Sequence, residues 1–450
     1  MRVLIIGCGN AGQTLAEKLC SEKHDVVVVD RRAEALAQIQ AHLDVLTIEG
    51  EGSSPQVLEQ ANIAKADMVV AVTDCDEVNI LACVIAHSVG VPHNVARVSN
   101  MDYVHPPQRF NLKSLGIDMI VSQKEECAHE LFNILRMPGT LEAVDLIENR
   151  VMASGIKVHM DSPLLRAPLK NFPQPELLQA IRFIALVRGS EIIVPRGDTQ
   201  FLIGDDVYFV GQPDAVNSFL EWAWPEHSSF KKVLIAGGGD LALHLAQLLE
   251  NTPMQVVLVE QDEARANYCS GVLNRTLVLK GNPLDQETLK NAGIIEETAF
   301  VAVTDSDENN IIGCLLAADM KARFTLAQVT KPEYVPIIES LSLLDRAVSP
   351  PLSMINAILH FIRGKHVKAA ALFHKLPGEL LDVVIPPKGK WAGKAIKAAK
   401  MPEGVTVASI LREDLVLVAT GDMVLEEGDR LIIFAPPEAV NKLDALFRSK

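Results

Sequence analysis

The sequence has few cysteines, few aromatic residues and no long apolar run. Its seven cysteines, at positions 8, 20, 75, 83, 127, 269 and 314, are odd in number and show no Cys-x-x-Cys spacing. This argues against a disulfide framework or cysteine-ligated zinc and favours reduced, buried thiols. No apolar segment approaches the roughly 18 to 20 residues that cross a bilayer, and Met1-Arg2 leads directly into a predicted strand. These absences predict a cytoplasmic protein.

Positive charge is also scarce. The formal net charge of -15 repels phosphate backbones and anionic lipids, so nonspecific binding to nucleic acid or to a membrane surface is not expected. Hydrophobic residues make up 48% and charged residues 22%, the balance of a folded chain rather than a disordered one. A bound phosphate would need a local device, such as the backbone N–H groups at the start of a helix.

Motifs for catalysis and metal binding are missing as well. The twelve histidines show neither His-Glu-x-x-His nor another metal-binding spacing, and the sequence contains no P-loop and no nucleophile elbow. These absences predict no catalytic residue and no metal site. A binding protein is therefore favoured over an enzyme.

Residues 1–121 alternate between short apolar runs and helical patterns. Strands are predicted at 3–6, 25–29, 44–49, 68–72, 94–98 and 119–121. Helices are predicted at 12–21, 33–41, 55–61, 77–88 and 104–115. Such alternation requires parallel strands joined by helical crossovers, so the predicted fold class is α/β, with a doubly wound parallel sheet.

The pattern changes after this domain. A long amphipathic helix at 122–136 makes residues 122–140 a connector, and residues 141–224 contain five short predicted strands and a helix at 214–222. That pattern predicts a small α+β domain. The polar, turn-rich stretch 224–229 is predicted to be a linker.

The whole two-domain pattern then repeats. Gly7 corresponds to Gly237 and Asp30 to Glu260, both 230 residues apart, and paired Gly-Asp motifs mark both small domains. The repeat predicts a duplicated unit with a second parallel-sheet domain at 231–350, a connector helix at 351–365 and a second small domain at 366–450.

The clearest candidate ligand-binding motif is the glycine-rich turn Gly7-x-Gly9-x-x-Gly12, which follows a predicted strand and begins a predicted helix. In a dinucleotide-binding Rossmann domain the three glycines allow a tight turn, close approach of the pyrophosphate and close helix–strand packing. Asp30 ends the next strand, where a carboxylate can accept hydrogen bonds from ribose hydroxyls. Arg31-Arg32 are compatible with a 2′-phosphate, but Asp30 favours NAD or ATP-type ligands.

The second glycine turn matches the dinucleotide-binding fingerprint less well than the first. Ala242 replaces the third glycine, and Asp240 stands where the first copy has Asn10. Because a carboxylate near the pyrophosphate path would repel the pyrophosphate, nucleotide binding is less favoured in the second copy than in the first.

Polar residues follow a later strand in both copies, at Thr73-Asp74 and Thr304-Asp305. They can either cap the following helix or contact a ligand, since the carboxyl ends of parallel strands line the ligand crevice. Arg97 ends another strand, where it either meets a ligand phosphate or is a solvated surface residue. Its counterpart is Gln328.

The ordered duplication resembles the TrkA family, the cytosolic regulatory subunits of bacterial Trk potassium uptake systems, which contain tandem RCK (KTN) domains. The resemblance rests on the two glycine turns, the Thr-Asp-x-Asp-Glu-x-Asn-type segments at 73–79 and 304–310, the connectors and the Gly-Asp motifs. It covers essentially the whole chain. The glycine motif alone would also suit a dehydrogenase.

The resemblance implies crevices that bind NAD(H) or ATP/ADP, and a homotetrameric ring on the cytoplasmic face of the inner membrane, bound to a TrkH- or TrkG-like potassium-translocating subunit. The ligand would bias the shape of the ring and hence the gate. The implied binding residues of the first copy are Gly7, Cys8, Gly9, Asn10, Ala11, Gly12, Asp30, Arg31, Glu51, Gly52, Thr73, Asp74 and Arg97. Those of the second copy are Gly237, Gly239, Asp240, Leu241, Glu260, Thr304 and Asp305.

Two other hypotheses remain open at this point. One is an NAD-dependent oxidoreductase, which the glycine fingerprint and Asp30 suggest but for which the sequence offers no hydride-acceptor site. The other is a structural scaffold with vestigial crevices.

Overall fold

The computed structural model describes most of the chain. The described residues are 1–105, 107, 111–137, 140–147, 150–189, 191–223, 230–341, 343–363, 369–371, 376, 378–387, 389–436, 438–440 and 443. The predicted linker at 224–229 lies outside them. None of the described helices is both long and apolar enough to cross a membrane.

The first domain is built on a six-stranded parallel sheet with the order β3-β2-β1-β4-β5-β6. Its strands are β1 Arg2–Ile6, β2 Asp25–Asp30, β3 Leu46–Glu49, β4 Met68–Ala71, β5 His93–Arg97 and β6 Met119–Val121. Its helices are α1 Asn10–Ser21, α2 Ala33–Gln40, α3 Pro55–Gln60, α4 Asp76–Ser88 and α5 Met101–Val104. The buried valines of β2 are typical of a central strand that is covered on both faces. The predicted doubly wound sheet is confirmed.

One predicted helix of this domain is wrong. Instead of a helix over 104–115, the structure has the four-residue helix α5 and a separate 3-10 turn at Leu112–Leu115. The sequence places Pro106-Pro107 between them. Proline lacks an N–H donor and disfavours helical geometry in the residue before it, so a continuous helix cannot pass this point.

A long helix and a small antiparallel domain follow. The helix is α6 Gln123–Arg136. The five strands are β7 Thr140–Leu146, β8 Val151–Lys157, β9 Ile181–Arg188, β10 Glu191–Ile193 and β11 Asp206–Gly211, in the sheet order β10-β9-β11-β8-β7. The helices are α7 Pro175–Ala180 and α8 Pro213–Ala223. The strands match the five predicted ones, whereas α7 had no prediction.

The second half repeats both folds. Its parallel sheet has the order β14-β13-β12-β15-β16-β17, formed by β12 Lys232–Ala236, β13 Gln255–Glu260, β14 Leu277–Lys280, β15 Thr298–Ala302, β16 Phe324–Gln328 and β17 Arg346–Val348. The helices are α9 Asp240–Leu249, α10 Glu263–Val272, α11 Gln286–Asn291, α12 Asp307–Asp319, α13 Tyr334–Leu341 and α14 Pro350–Arg363. The last sheet has the order β18-β19-β22-β20-β21, formed by β18 Ala369–Ala371, β19 Glu379–Val384, β20 Thr406–Arg412, β21 Leu415–Val418 and β22 Arg430–Ala435.

The four domains form two compact units, each of which contains the two domains of one type. One compact unit comprises residues 1–132 and 231–359 and therefore holds both parallel-sheet domains, and the other comprises 133–230 and 360–450 and holds both small domains. Within the second unit the two antiparallel sheets share a hydrophobic core, which includes Tyr208 and Val210 from one sheet and Ile432 and Phe434 from the other. The division between the units falls inside α6 and α14.

Candidate nucleotide site

The first glycine turn joins β1 to α1 and is closed by contacts that only glycine permits. Gly7 has a φ of +107°, and a Cβ atom on it would lie 2.9 Å from the backbone nitrogen of Thr73. A Cβ on Gly12 would lie 1.9 Å from the carbonyl oxygen of Gly7. Gly9 is open, since its nearest atom beyond the chain neighbours is Arg32 Nη2 at 3.9 Å. The turn therefore leaves room for an anion beside the N-terminus of α1, where the first N–H groups have no partner within the helix.

Asp30, at the end of β2, holds this turn. Its Oδ2 accepts a hydrogen bond from the Cys8 backbone N–H at 2.6 Å, and its Oδ1 accepts from the Arg32 backbone N–H at 2.8 Å and from Arg32 Nε at 3.2 Å. Burial by itself raises the pKa of the Asp30 carboxyl, but the hydrogen bonds from Arg32 and Cys8 hold that pKa below its ordinary value. Asp30 is therefore a fixed, ionised acceptor.

These groups line a crevice of about 600 Å³ at the carboxyl ends of β1 and β4, where the strand order reverses. Eleven predicted residues line it: Gly7, Gly9, Asn10, Ala11, Asp30, Arg31, Glu51, Gly52, Thr73, Asp74 and Arg97. Two other predicted residues lie behind the wall. The buried Cys8 donates its thiol hydrogen to the carbonyl of Ala35, and Gly12 packs against Gly7.

Sequence reasoning missed several lining residues. They include Arg32, Gly50, Cys75, Val78, Gln123, Thr330 and Pro351. The sequence did show Arg32 beside Asp30, and Gln123 lies at the start of the predicted connector. Thr330 and Pro351 belong to the second half, and no local pattern links them to the first glycine turn.

Thr73 is fixed by a buried asparagine and does not cap α4 with its side chain. The Thr73 N–H and hydroxyl both donate to Asn79 Oδ1, at 2.9 and 2.7 Å, while Asn79 Nδ2 donates to the carbonyls of Thr73 and Arg97. No side chain caps α4 at its N-cap residue Cys75. Asn310 makes the same contacts with Thr304 and Gln328, and the cap of α12 there is Ser306. The asparagine therefore ties together two strand ends at each crevice.

Arg97 faces the crevice. Its side chain is 15% exposed, and its Nη1 lies 3.0 Å from Oδ1 of Asp74, whose side chain is 98% exposed. The alternative of a solvated surface arginine is therefore wrong. The exposed carboxylate leaves the guanidinium able to turn toward an anionic ligand.

The second turn forms a similar crevice of about 480 Å³. Gly237 has a φ of +109°, and Glu260 accepts hydrogen bonds from the backbone N–H groups of Gly238 and Asp262, as Asp30 does from Cys8 and Arg32. The predicted residues that line it are Gly237, Gly239, Glu260, Thr304 and Asp305. Sequence reasoning missed further lining residues, among them Gly238, Gln261, Asn282, Pro283, Leu284, Asn309, Asn310 and Gly313.

Two residues predicted for the second crevice do not line it. Leu241 is buried, and Asp240 pairs with Lys124 Nζ at 2.7 Å and Arg265 Nη2 at 2.8 Å. The hydrogen bond from Lys124 is the largest of the effects that lower the pKa of Asp240, and Arg265 adds to it. The expected repulsion between Asp240 and a pyrophosphate is therefore offset by two cations.

Together, the fold and the crevices define a class of protein in which a glycine-turn Rossmann domain and a small antiparallel domain are duplicated in tandem. Two family profiles match the chain in the same alternation, the TrkA-N domain at residues 3–123 and 233–350 and the TrkA-C domain at residues 154–223 and 380–448. The chain belongs to the TrkA family.

Curated relatives agree with this assignment, and solved structures share the fold. The Trk system potassium uptake protein TrkA of Azorhizobium caulinodans is 30% identical over 100% of this chain and 99% of its own length, and that of Halomonas elongata is 31% identical over 96% and 95%. The crystal structure of the GsuK RCK domain aligns with a TM-score of 0.61 at 19% identity, covering 100% of this chain and 95% of that one. The GsuK channel bound to NAD has the same TM-score and identity, and 79% of it is covered. These structures show the fold.

Proposed function

We propose that the protein is a nucleotide-binding regulatory subunit that gates a Trk-type potassium transporter, with NAD(H) or ATP/ADP as its ligand. The observation that carries the proposal is the composition of the first crevice. It joins the glycine turn and Asp30 to the first residue of α6, Gln123, and to the first turn of α14, through Pro351. A ligand there would touch the starts of both connector helices.

The crevice residues fit a nucleotide. The backbone N–H groups after Gly9 would hold the phosphates, and the ionised Asp30 would accept hydrogen bonds from the ribose. Arg31, Arg32 and Arg97 supply positive charge in the same wall. The proposal treats the nucleotide as unreacted, in keeping with relatives named for potassium uptake. The GsuK channel, which shares the fold, is described as bound to NAD.

The connector helices could transmit a ligand-induced change in the crevice to the gate of the transporter. Beyond the crevice they are joined by the hydroxyl of Ser353 on α14, which donates to Oε2 of Glu130 on α6 at 2.6 Å. A ligand shifts a conformational equilibrium only through different affinities for the two states, typically by about 1–3 kcal/mol of coupling. A contact at the start of a rigid helix can turn a small change in the crevice into a rigid-body shift. The proposed assembly is a homotetramer on a TrkH- or TrkG-like membrane subunit.

The test is potassium flux through the reconstituted membrane partner, with and without this protein and with NADH, NAD, ATP or ADP. We expect at least one nucleotide to change flux in the presence of wild-type protein, and Asp30→Ala to abolish that response. Glu260→Ala is the matched control in the second crevice and should retain part of it. Unchanged flux under every nucleotide would refute the proposal. Steady consumption of NADH with a candidate acceptor would instead favour the oxidoreductase hypothesis.

A further inference from the structure

A cluster of imidazole and carboxylate groups lies between the two Rossmann domains, outside both crevices. His105 follows α5, Glu125 lies in the first turn of α6, and His244 lies in the second turn of α9. One donor atom from each lies within 4.8 Å of the others, and His105 Nε2 is 3.3 Å from Glu125 Oε1. Three distant segments of the chain thus bring their donor atoms to one point.

The His244 ring has a nitrogen without a hydrogen-bond partner among the described residues. This nitrogen, Nε2, is buried. The His244 ring lies 6.0 Å, centroid to centroid, from the ring of His105 and 5.4 Å from the ring of His129, which it meets edge-on. Buried polar atoms are normally satisfied, so this orphaned nitrogen itself points to a ligand that the cluster binds.

The surrounding contacts hold the donors in place. Lys124, which precedes Glu125 on α6, pairs with Asp240, one turn before His244 on α9. His129 follows Glu125 by four residues, so both lie on one face of α6. The side chain of His105 is 59% exposed and that of Glu125 is 17% exposed, so the cluster opens to solvent on the His105 side. The site is supported from both helices and has an entry path.

The donor set selects the kind of ligand. Two imidazoles and one carboxylate suit zinc and its neighbours among the divalent transition metals, whereas calcium and magnesium prefer oxygen donors alone. Three protein ligands leave a fourth tetrahedral position for water. We propose that His105, Glu125 and His244 bind a divalent transition-metal ion of the zinc class, which links α9 of the second Rossmann domain to α6 of the first.

The proposal differs from the sequence-based expectation that no metal site exists. Metal motifs in sequence are recognised by local spacing, and these three ligands have none, because two domains supply them. An ion that binds the folded chain and not the unfolded one stabilises the fold. The ion would therefore strengthen the contact between α6 and α9 without occupying either crevice.

The test uses the full-length protein after treatment with chelator. Calorimetric titration with Zn²⁺ should show one site per chain, and Zn²⁺ should raise the temperature of unfolding. Losing an outer-shell partner already costs about 10- to 100-fold in metal affinity, so His244→Gln should weaken binding at least about tenfold. His42→Gln, at an exposed histidine outside the cluster, should leave affinity unchanged.

Two further measurements keep the test decisive. His105→Gln alters an exposed side chain and should also weaken binding, which covers the case in which His244→Gln fails to fold. Co²⁺ in place of zinc should give a visible spectrum without a thiolate charge-transfer band. The proposal would be overturned if the wild type bound no Zn²⁺, or if both cluster variants bound it as tightly as the wild type. It would also be overturned by a thiolate charge-transfer band, because such a band would mean that a cysteine, such as the exposed Cys75, binds the metal.

Discussion

The two crevices share their architecture but differ in charge and in what surrounds them. Three carboxylates and three arginines line the first crevice: Asp30, Glu51, Asp74, Arg31, Arg32 and Arg97. The described residues that line the second include the carboxylates of Glu260 and Asp305 but no lysine or arginine. The formal charges of the first crevice therefore cancel, whereas those of the second sum to −2, so an anionic pyrophosphate meets less repulsion in the first crevice than in the second. Duplication has preserved the fold while the electrostatics have diverged.

The two crevices also differ in which parts of the chain line them. Both connector helices contribute to the first crevice, through Gln123 and Pro351, whereas all the residues that line the second belong to its own Rossmann domain. A ligand in the first crevice can act on the connectors directly. The comparison therefore predicts that the first crevice carries both the tighter binding and the signal.

The largest expected effect comes from substitutions at the third position of the glycine motif, which is Gly12 in the first turn and Ala242 in the second. A Cβ on Gly12 would meet a backbone oxygen at 1.9 Å, yet in the second turn the fully buried Ala242 is accommodated. Gly12→Ala should lower the free energy of unfolding by about 1–3 kcal/mol, the usual range for overpacking, and abolish nucleotide binding in the first crevice. Ala242→Gly should cost only about 1 kcal/mol, through helix propensity.

Urea unfolding followed by circular dichroism, together with calorimetric nucleotide titration, measures both changes. Equal destabilisation by the two substitutions, or intact binding by Gly12→Ala, would show that the turns are interchangeable.

The next effect concerns the carboxylates at the ends of β2 and β13. A hydrogen bond to a charged group contributes about 1.5–3 kcal/mol, so Asp30→Ala should weaken binding of NADH by about 10- to 100-fold. Asp30→Asn retains an acceptor for the Cys8 N–H and separates the loss of charge from a disturbed turn. Glu260→Gln should change the total binding much less. If calorimetry showed the larger loss at Glu260, the second crevice would be the principal site.

The sequence predicted the elements whose chemistry is local. The Gly7-x-Gly9-x-x-Gly12 turn and the carboxylate of Asp30 each follow an apolar strand, so both their identity and their place at the strand ends could be predicted. The role of Asn79 was not predicted, because a buried asparagine that links two strand ends looks like an ordinary helix residue in sequence. Thr330 and His244 could not be placed either, since their partners lie in the other half and depend on how the domains pack.

The smallest expected effect tests the charge difference by exchanging one pair of residues. Arg97 lies beside the exposed Asp74. In the second copy Gln328 ends the corresponding strand, β16, and Asp305 lines the crevice. Arg97→Gln should weaken nucleotide binding in the first crevice by about 0.2–1 kcal/mol, a factor of up to about five, because the Arg97 charge is already partly neutralised by the exposed Asp74.

The reciprocal Gln328→Arg should strengthen binding in the second crevice by a similar factor. Both effects should diminish at high salt, since screening weakens interactions of solvent-accessible charges. Nucleotide affinity is measured by titrating the two single variants and the double variant at low and at high ionic strength. If Gln328→Arg left the second crevice unchanged at low salt, the missing cation would not explain its weaker binding, and the missing connector contacts would become the principal difference between the two sites.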